Sequence, residues 1–119
     1  RPNLRGGLSW SETADVSVAG TSYCQKVLEN VASSIVRADD GWPCIACVVR
    51  EPDNPYDPNA VLVLINNVKA GYLPKEFAPV VGSSLGSEKF DVPALIVGGY
   101  FTNGVRAPFG LRLFLAWGD

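Results

Sequence analysis

Apolar and polar positions alternate along this chain in short blocks, most of them the length of a strand. Ala14 to Gly20 reads as a strand, and a different period follows it. Cys24, Val27, Leu28 and Val31 recur at i, i+3, i+4 and i+7, which predicts an amphipathic helix with Lys26, Glu29 and Asn30 toward water. Ser22 suits its N-cap, with Gln25 closing a capping box, so the helix is expected over about 22–33. Cys44 to Arg50 is continuously apolar and β-rich, the pattern of a strand covered on both faces. Two strands, 60–65 and 68–73, flank Asn66-Asn67, and Asn tolerates the positive φ of a two-residue hairpin turn.

Further along, Pro74 fits a first helical position, so Lys75 to Val81 is expected to form a short helix that Pro79 limits and Gly82 ends. Asp91 to Val97 reads as another buried strand. Gly98 to Pro108 is a long turn containing Asn103-Gly104, and Leu111 to Trp117 is a last strand with Leu111, Leu113 and Leu115 inward. The sum is about six strands and two short helices, a mainly β chain whose short strands and tight connections suit a small OB-like antiparallel barrel. Residues 1–13 lack any period and read as a flexible lead-in or linker, with one domain over 14–119. There is no internal repeat.

Composition narrows the chemistry. With 119 residues, 12.7 kDa and 47% apolar content, the chain supplies one core. The 10 basic and 12 acidic side chains leave a net charge of −2, so no global positive field draws it to nucleic acid, and any phosphate site must be local. Without histidine there is no Ser-His-Asp or Cys-His pair, no imidazole base and no His-containing zinc site. Three cysteines cannot fill a four-thiolate site, and an odd count without a signal-like start points to a reducing, intracellular setting. The apolar runs are too short to span a membrane, and a chain with no methionine reads as a piece of a longer polypeptide. No cofactor or metal is expected.

Two motifs have bland readings that outweigh the sharp ones. Cys44 and Cys47 have Cys-x-x-Cys spacing, but in a strand residues three apart point to opposite faces, so they read as ordinary buried cysteines. The run Glu51-Pro52-Asp53-Asn54-Pro55-Tyr56-Asp57-Pro58-Asn59 holds hard-cation ligands, yet it lacks the central glycine and terminal Glu of a calcium loop. Its plain reading is a stiff connection in which Asp57 and Asn59 cap turn N–H groups. Tyr56 does not fit that reading. A ring held between prolines beside a carboxylate is a platform for stacking a base. Tyr23 and Tyr72 also lie beside turns, and Lys75 sits near the start of the second helix, where free N–H groups favour phosphate.

Val18-Ala19-Gly20 with Tyr23, the segment Arg50 to Val61, Gly71-Tyr72-Leu73-Pro74-Lys75-Glu76, Ile96-Val97-Gly98-Gly99 and Phe109 to Leu113 together resemble the HIRAN domain, in its bacterial form. The resemblance runs from about residue 15 to the end. It implies an OB-like barrel, found in eukaryotes at the N-terminus of fork-remodelling ATPases such as helicase-like transcription factor. It also implies a non-catalytic module that binds the 3′-hydroxyl end of single-stranded DNA and targets a fused or associated helicase, nuclease or ATPase. By the same resemblance Tyr23 and Tyr56 stack on terminal bases, Asp57 accepts the 3′-hydroxyl hydrogen, and Asn54 and Lys75 touch base and backbone. Asp53 stands at an Asn position of the same loop and Tyr72 where a histidine can occur. Two departures weaken the set: Ser22 replaces a phosphate-binding cation, and a late stacking aromatic aligns with Ala116. A protein-docking module is the alternative, and a nuclease is disfavoured because only Asp53 and Asp57 could hold its metals.

Overall fold

The computed structural model of the chain describes residues 3–5 and 13–118, with side chains described from 15 to 115. Strands β1 (Asn3–Arg5) and β2 (Thr13–Ser17) come first, then a 3-10 turn at Thr21–Tyr23 and helix α1 (Gln25–Ser34). Strands β3 (Trp42–Arg50), β4 (Val61–Ile65) and β5 (Val68–Tyr72) lead to helix α2 (Ala78–Leu85). Strand β6 (Phe90–Gly98), the short hairpin β7 (Phe101–Thr102) and β8 (Val105–Arg106), and the long β9 (Phe109–Gly118) complete the chain.

The principal sheet is antiparallel, in the order β1-β9-β6-β3-β4-β5, with β2 also on β9. It curls into a half-barrel in which the segment after β2 meets β5. Beyond β2, Val18 N–H donates to Leu111 O at 2.9 Å, and Ala19 and Tyr72 exchange two backbone hydrogen bonds of 2.8 and 2.9 Å. The mainly β, OB-like architecture read from the sequence is the one formed, and β2, β3, β4, β5, β6 and β9 are its expected strands. Part of the segment read as a lead-in, Asn3–Arg5, forms a strand on the end of β9.

Strand periodicity accounts for the core. Val16, Val48, Val61, Val63, Ile65, Val92, Ile96, Leu111, Leu113 and Leu115 are all inward and almost fully buried, and Leu28 and Val31 of α1 join them. Asn66 and Asn67 both take positive φ, 52° and 65°, making the β4–β5 turn, and Asn103 and Gly104 do the same between β7 and β8. The β6–β9 ladder runs from Gly98 to Ala94 and stops before Pro93, which has no N–H to donate.

Several local readings are corrected. The strand at 44–50 is covered on one face only: Ala46 and Val48 are buried, while Ile45 is 59% exposed. The same alternation holds in β6, where Asp91 is exposed. A β-rich run reads alike whether or not a second layer covers it, and the helices pack elsewhere. Helix α1 starts at Gln25, not Ser22, and has no side-chain cap. Gln25 instead pairs with the backbone of Phe109, its Nε2 donating to O at 2.8 Å and its Oε1 accepting from N at 2.8 Å.

Helix α2 begins at Ala78, so Lys75 lies ahead of it and Gly82 lies inside it. Pro79 falls in its first turn, where a missing N–H costs nothing, and Gly86 ends it. Gly71 and Gly82 then make opposite predictions. A Cβ on Gly71 would lie 2.4 Å from Ala19 O and 2.5 Å from Val18 Cγ1, at a φ of 152°. Gly71→Ala is expected to lower stability by roughly 2 kcal/mol or more, as overpacking does. On Gly82 a Cβ would meet Arg50 and Val61 at an ordinary 3.7 Å, so Gly82→Ala should raise stability by about 0.5–1 kcal/mol. Paired thermal melts of the two variants check both signs.

Candidate nucleic-acid interface

The backbone bridge between Ala19 and Tyr72 also gathers most of the candidate site. On one side the chain leaves Ala19 through Gly20, whose φ of 77° is left-handed, directly into the Thr21–Tyr23 turn. Tyr23 N–H donates to Gly20 O, and the tyrosine ring projects outward, 92% exposed. On the other side the Tyr72 hydroxyl donates to Glu51 Oε1 at 2.7 Å, where the 51–60 loop begins. Lys69 Nζ sits 4.5 Å from the centre of the Tyr72 ring.

The loop is a knot of hydrogen bonds closed at both ends. Glu51 N–H donates to Ala60 O, Asn54 N–H to Glu51 O, and Ala60 N–H to Asp57 O. Asn54 is committed internally: its Nδ2 donates to Glu51 Oε1 at 2.8 Å, and its Oδ1 accepts from the N–H of Tyr56 at 2.8 Å and of Asp57 at 3.0 Å. Such side-chain acceptance two and three residues ahead fixes a turn as a backbone carbonyl would. Asp57 Oδ1 caps Asn59 N–H at 2.9 Å, whereas Asp57 Oδ2 has no partner among the described residues. Tyr56, carried at the middle of this braced loop, is 93% exposed.

The plain reading of the loop therefore holds for Asp57, which does cap a turn, and Asn59 contributes its backbone. Asp53 is exposed in the Pro52–Asp53 turn and makes no hydrogen bond among the described residues. Lys75 is exposed and likewise has no partner there. Ahead of α2, the N–H groups of Phe77 and Ala78 donate to Pro74 O and Pro79 has none, while those of Lys75 and Glu76 have no hydrogen-bond partner among the described residues. The Ala116 side chain lies outside the described residues.

Sequence reasoning missed two features here. Glu51 ties Asn54 and Tyr72 together through one oxygen, a role that only the fold reveals. The β7–β8 hairpin carries the exposed Tyr100, Phe101 and Val105, and the Asn103-Gly104 turn flanked by apolar residues was the available signal. Arg106 fastens that hairpin to α1 through Glu29 at 2.6 Å and lies over the Phe109 ring at 4.6 Å.

The cysteines face apart, as strand geometry requires. Cys44 packs on the core, where burial pushes its thiol up to about 11, and Cys47 lies on the outer face, its thiol raised by burial and then by Asp91. No cluster of three or more metal-ligating side chains occurs among the described residues. No helix of the described residues is long and apolar enough to cross a membrane.

The structure is thus a curled antiparallel half-barrel with exposed rings on a braced polar loop, Tyr56, and on the turn after β2, Tyr23. The chain belongs to the HIRAN domain family, whose model matches residues 11–116. That family is a binding domain rather than a catalytic one, and membership supports a DNA-binding module. Among solved structures, the crystal structure of the HIRAN domain of human HLTF aligns over 97% of this chain and 80% of its own, with 20% identity and a TM-score of 0.43. No curated protein matches the sequence significantly.

The raised Cys44 thiol predicts a pH dependence. Because the folded state holds the proton to about pH 11 and the unfolded chain releases it near 9, Cys44 favours folding below pH 9 and loses that contribution as pH rises through 11. Alkylation of native protein, followed by peptide mass spectrometry, should show Cys44 inert at pH 8 and reacting only as pH approaches 11.

Proposed function

We propose that this domain captures the 3′-hydroxyl end of single-stranded DNA and so directs an attached or associated enzyme of DNA repair or replication to such ends. The observation that carries the reading is that Tyr23 and Tyr56 are both more than nine-tenths exposed yet anchored on hydrogen-bonded turns. Exposed rings of this size add nothing to a core, and stacking on bases is the use for which a flat, fixed ring is suited. Beside them, the unpartnered Oδ2 of Asp57 is an acceptor for a terminal hydroxyl, while Lys75 supplies one cation for a phosphate. Asn54, by contrast, already uses its amide within the loop, and Asp53 adds negative charge that discourages internal phosphates.

A carboxylate offers only acceptors at neutral pH, so it satisfies a hydroxyl and repels a terminal phosphate. Titration of a 3′-hydroxyl oligonucleotide, its 3′-phosphate form and a 5′-end control should show binding to the first and its loss on the second. Tyr56→Ala or Tyr23→Ala is expected to cost about 1–3 kcal/mol of binding with the fold retained. Asp57→Asn should bind the hydroxyl end less well and tolerate the phosphate better, narrowing the discrimination. If Asp57 served only as a cap, Asp57→Asn would keep both stability and end preference, and Asp57→Ala would lose roughly 1 kcal/mol of stability with end preference unchanged. Equal affinity for all three oligonucleotides would reject end recognition.

A further inference from the structure

We propose that Glu51 is the positioning residue of this interface, and that Asn54 and Tyr72 support the recognition residues through it. The inference rests on the end-binding reading above for its ligand and on the hydrogen-bond geometry for everything else. One carboxylate oxygen, Oε1, accepts both the Asn54 Nδ2–H at 2.8 Å and the Tyr72 O–H at 2.7 Å. Tyr72 belongs to a barrel strand and is bonded across to Ala19, so Glu51 is held to the sheet by a group that does not move with the loop. Asn54, oriented by Glu51, turns its Oδ1 to the N–H groups of Tyr56 and Asp57, the two residues assigned to stacking and to the terminal hydroxyl. Force therefore passes from strand to Glu51 to Asn54 to the recognition residues without a break.

The same bonds commit much of both side chains to the loop. The Asn54 amide uses its Oδ1 and one Nδ2–H inside the loop, leaving a single N–H for any other partner. The Tyr72 hydroxyl is donated to Glu51, and its ring carries the Lys69 ammonium. An isosteric acceptor is all the arrangement needs from residue 51. Glutamine keeps one carbonyl oxygen able to accept two hydrogen bonds, and alanine keeps none.

The test uses Glu51→Gln, Glu51→Ala, Tyr72→Phe and the double variant Glu51→Ala/Tyr72→Phe. Affinity for a 3′-hydroxyl oligonucleotide is measured together with amide hydrogen exchange at Tyr56 and Asp57. Glu51→Ala is expected to weaken binding about tenfold, the scale of one or two lost hydrogen bonds, and to speed exchange at both amides. Glu51→Gln should restore both to within about twofold of the parent. Adding Tyr72→Phe to Glu51→Ala should cost nothing further, because a group that acts through Glu51 has nothing left to act on. Additive losses would overturn the indirect role of Tyr72. Unchanged exchange and affinity in Glu51→Ala, in a parent that binds, would overturn the positioning role itself. A parent that shows no end-dependent binding would reject the function and with it the ligand part of this proposal, while the exchange data would still decide whether Glu51 holds the loop.

Discussion

The pair of hydrogen bonds between Ala19 and Tyr72 is the constraint on which the rest of the molecule depends. A curled antiparallel sheet that fails to meet itself leaves edges open to foreign strands and has no fixed radius. Here the meeting is one residue wide, and it imposes a local rule. The chain opposite must come close enough that Gly71 has no space for a Cβ, which would fall 2.4 Å from Ala19 O. The chain then turns sharply at Gly20 and delivers Tyr23, while on the facing strand Tyr72 reaches Glu51. A single closure thus sets the supports of both exposed tyrosines.

Within the 51–60 loop the polar groups divide by whether they are already partnered. Asn54 uses its carbonyl oxygen and one amide N–H within the loop, Glu51 accepts two bonds on one oxygen, and Asp57 is half used. The Tyr56 side chain has no partner among the described residues. Pro52, Pro55 and Pro58 restrict the unfolded chain, so ordering the loop costs less entropy than its length suggests. A loop whose shape is settled before a ligand arrives can present a ring without losing that order on binding.

Much of this was legible in the sequence because strands report themselves through alternation. Leu111, Leu113 and Leu115 face inward as their spacing demands, and Asn66-Asn67 turns where its tolerance of positive φ says it must. The failures share a cause. Ser22 and Gln25 form a good local capping pattern, but Gln25 finds a better partner in the backbone of Phe109, 84 residues away. Gly82 has the look of a helix stop and is in fact the thin position where α2 meets Arg50 and Val61. In the site, Tyr56 stood out because a ring is the wrong residue for a mere connection. Glu51 did not, since its meaning comes from Tyr72, 21 positions on.

Electrostatics explains why the reading points to an end rather than to a strand's interior. The net charge is −2, and two of the arginines are already tied into ion pairs, Arg106 with Glu29 and Arg112 with Asp15. Near the loop, Lys69 lies over a tyrosine ring, and Arg50 and Lys75 are cations whose side chains make no hydrogen bond or ion pair among the described residues. A strand running through the site would bring phosphates on both sides of each stacked base toward Glu51, Asp53 and Asp57, without the cations that normally draw a backbone into a groove. A 3′ terminus brings one phosphate fewer and a hydroxyl in its place. On the reading proposed above, the acidic character that would weaken a general single-strand binder becomes the source of selectivity, because a carboxylate that repels a phosphate would be the group that accepts the terminal hydroxyl.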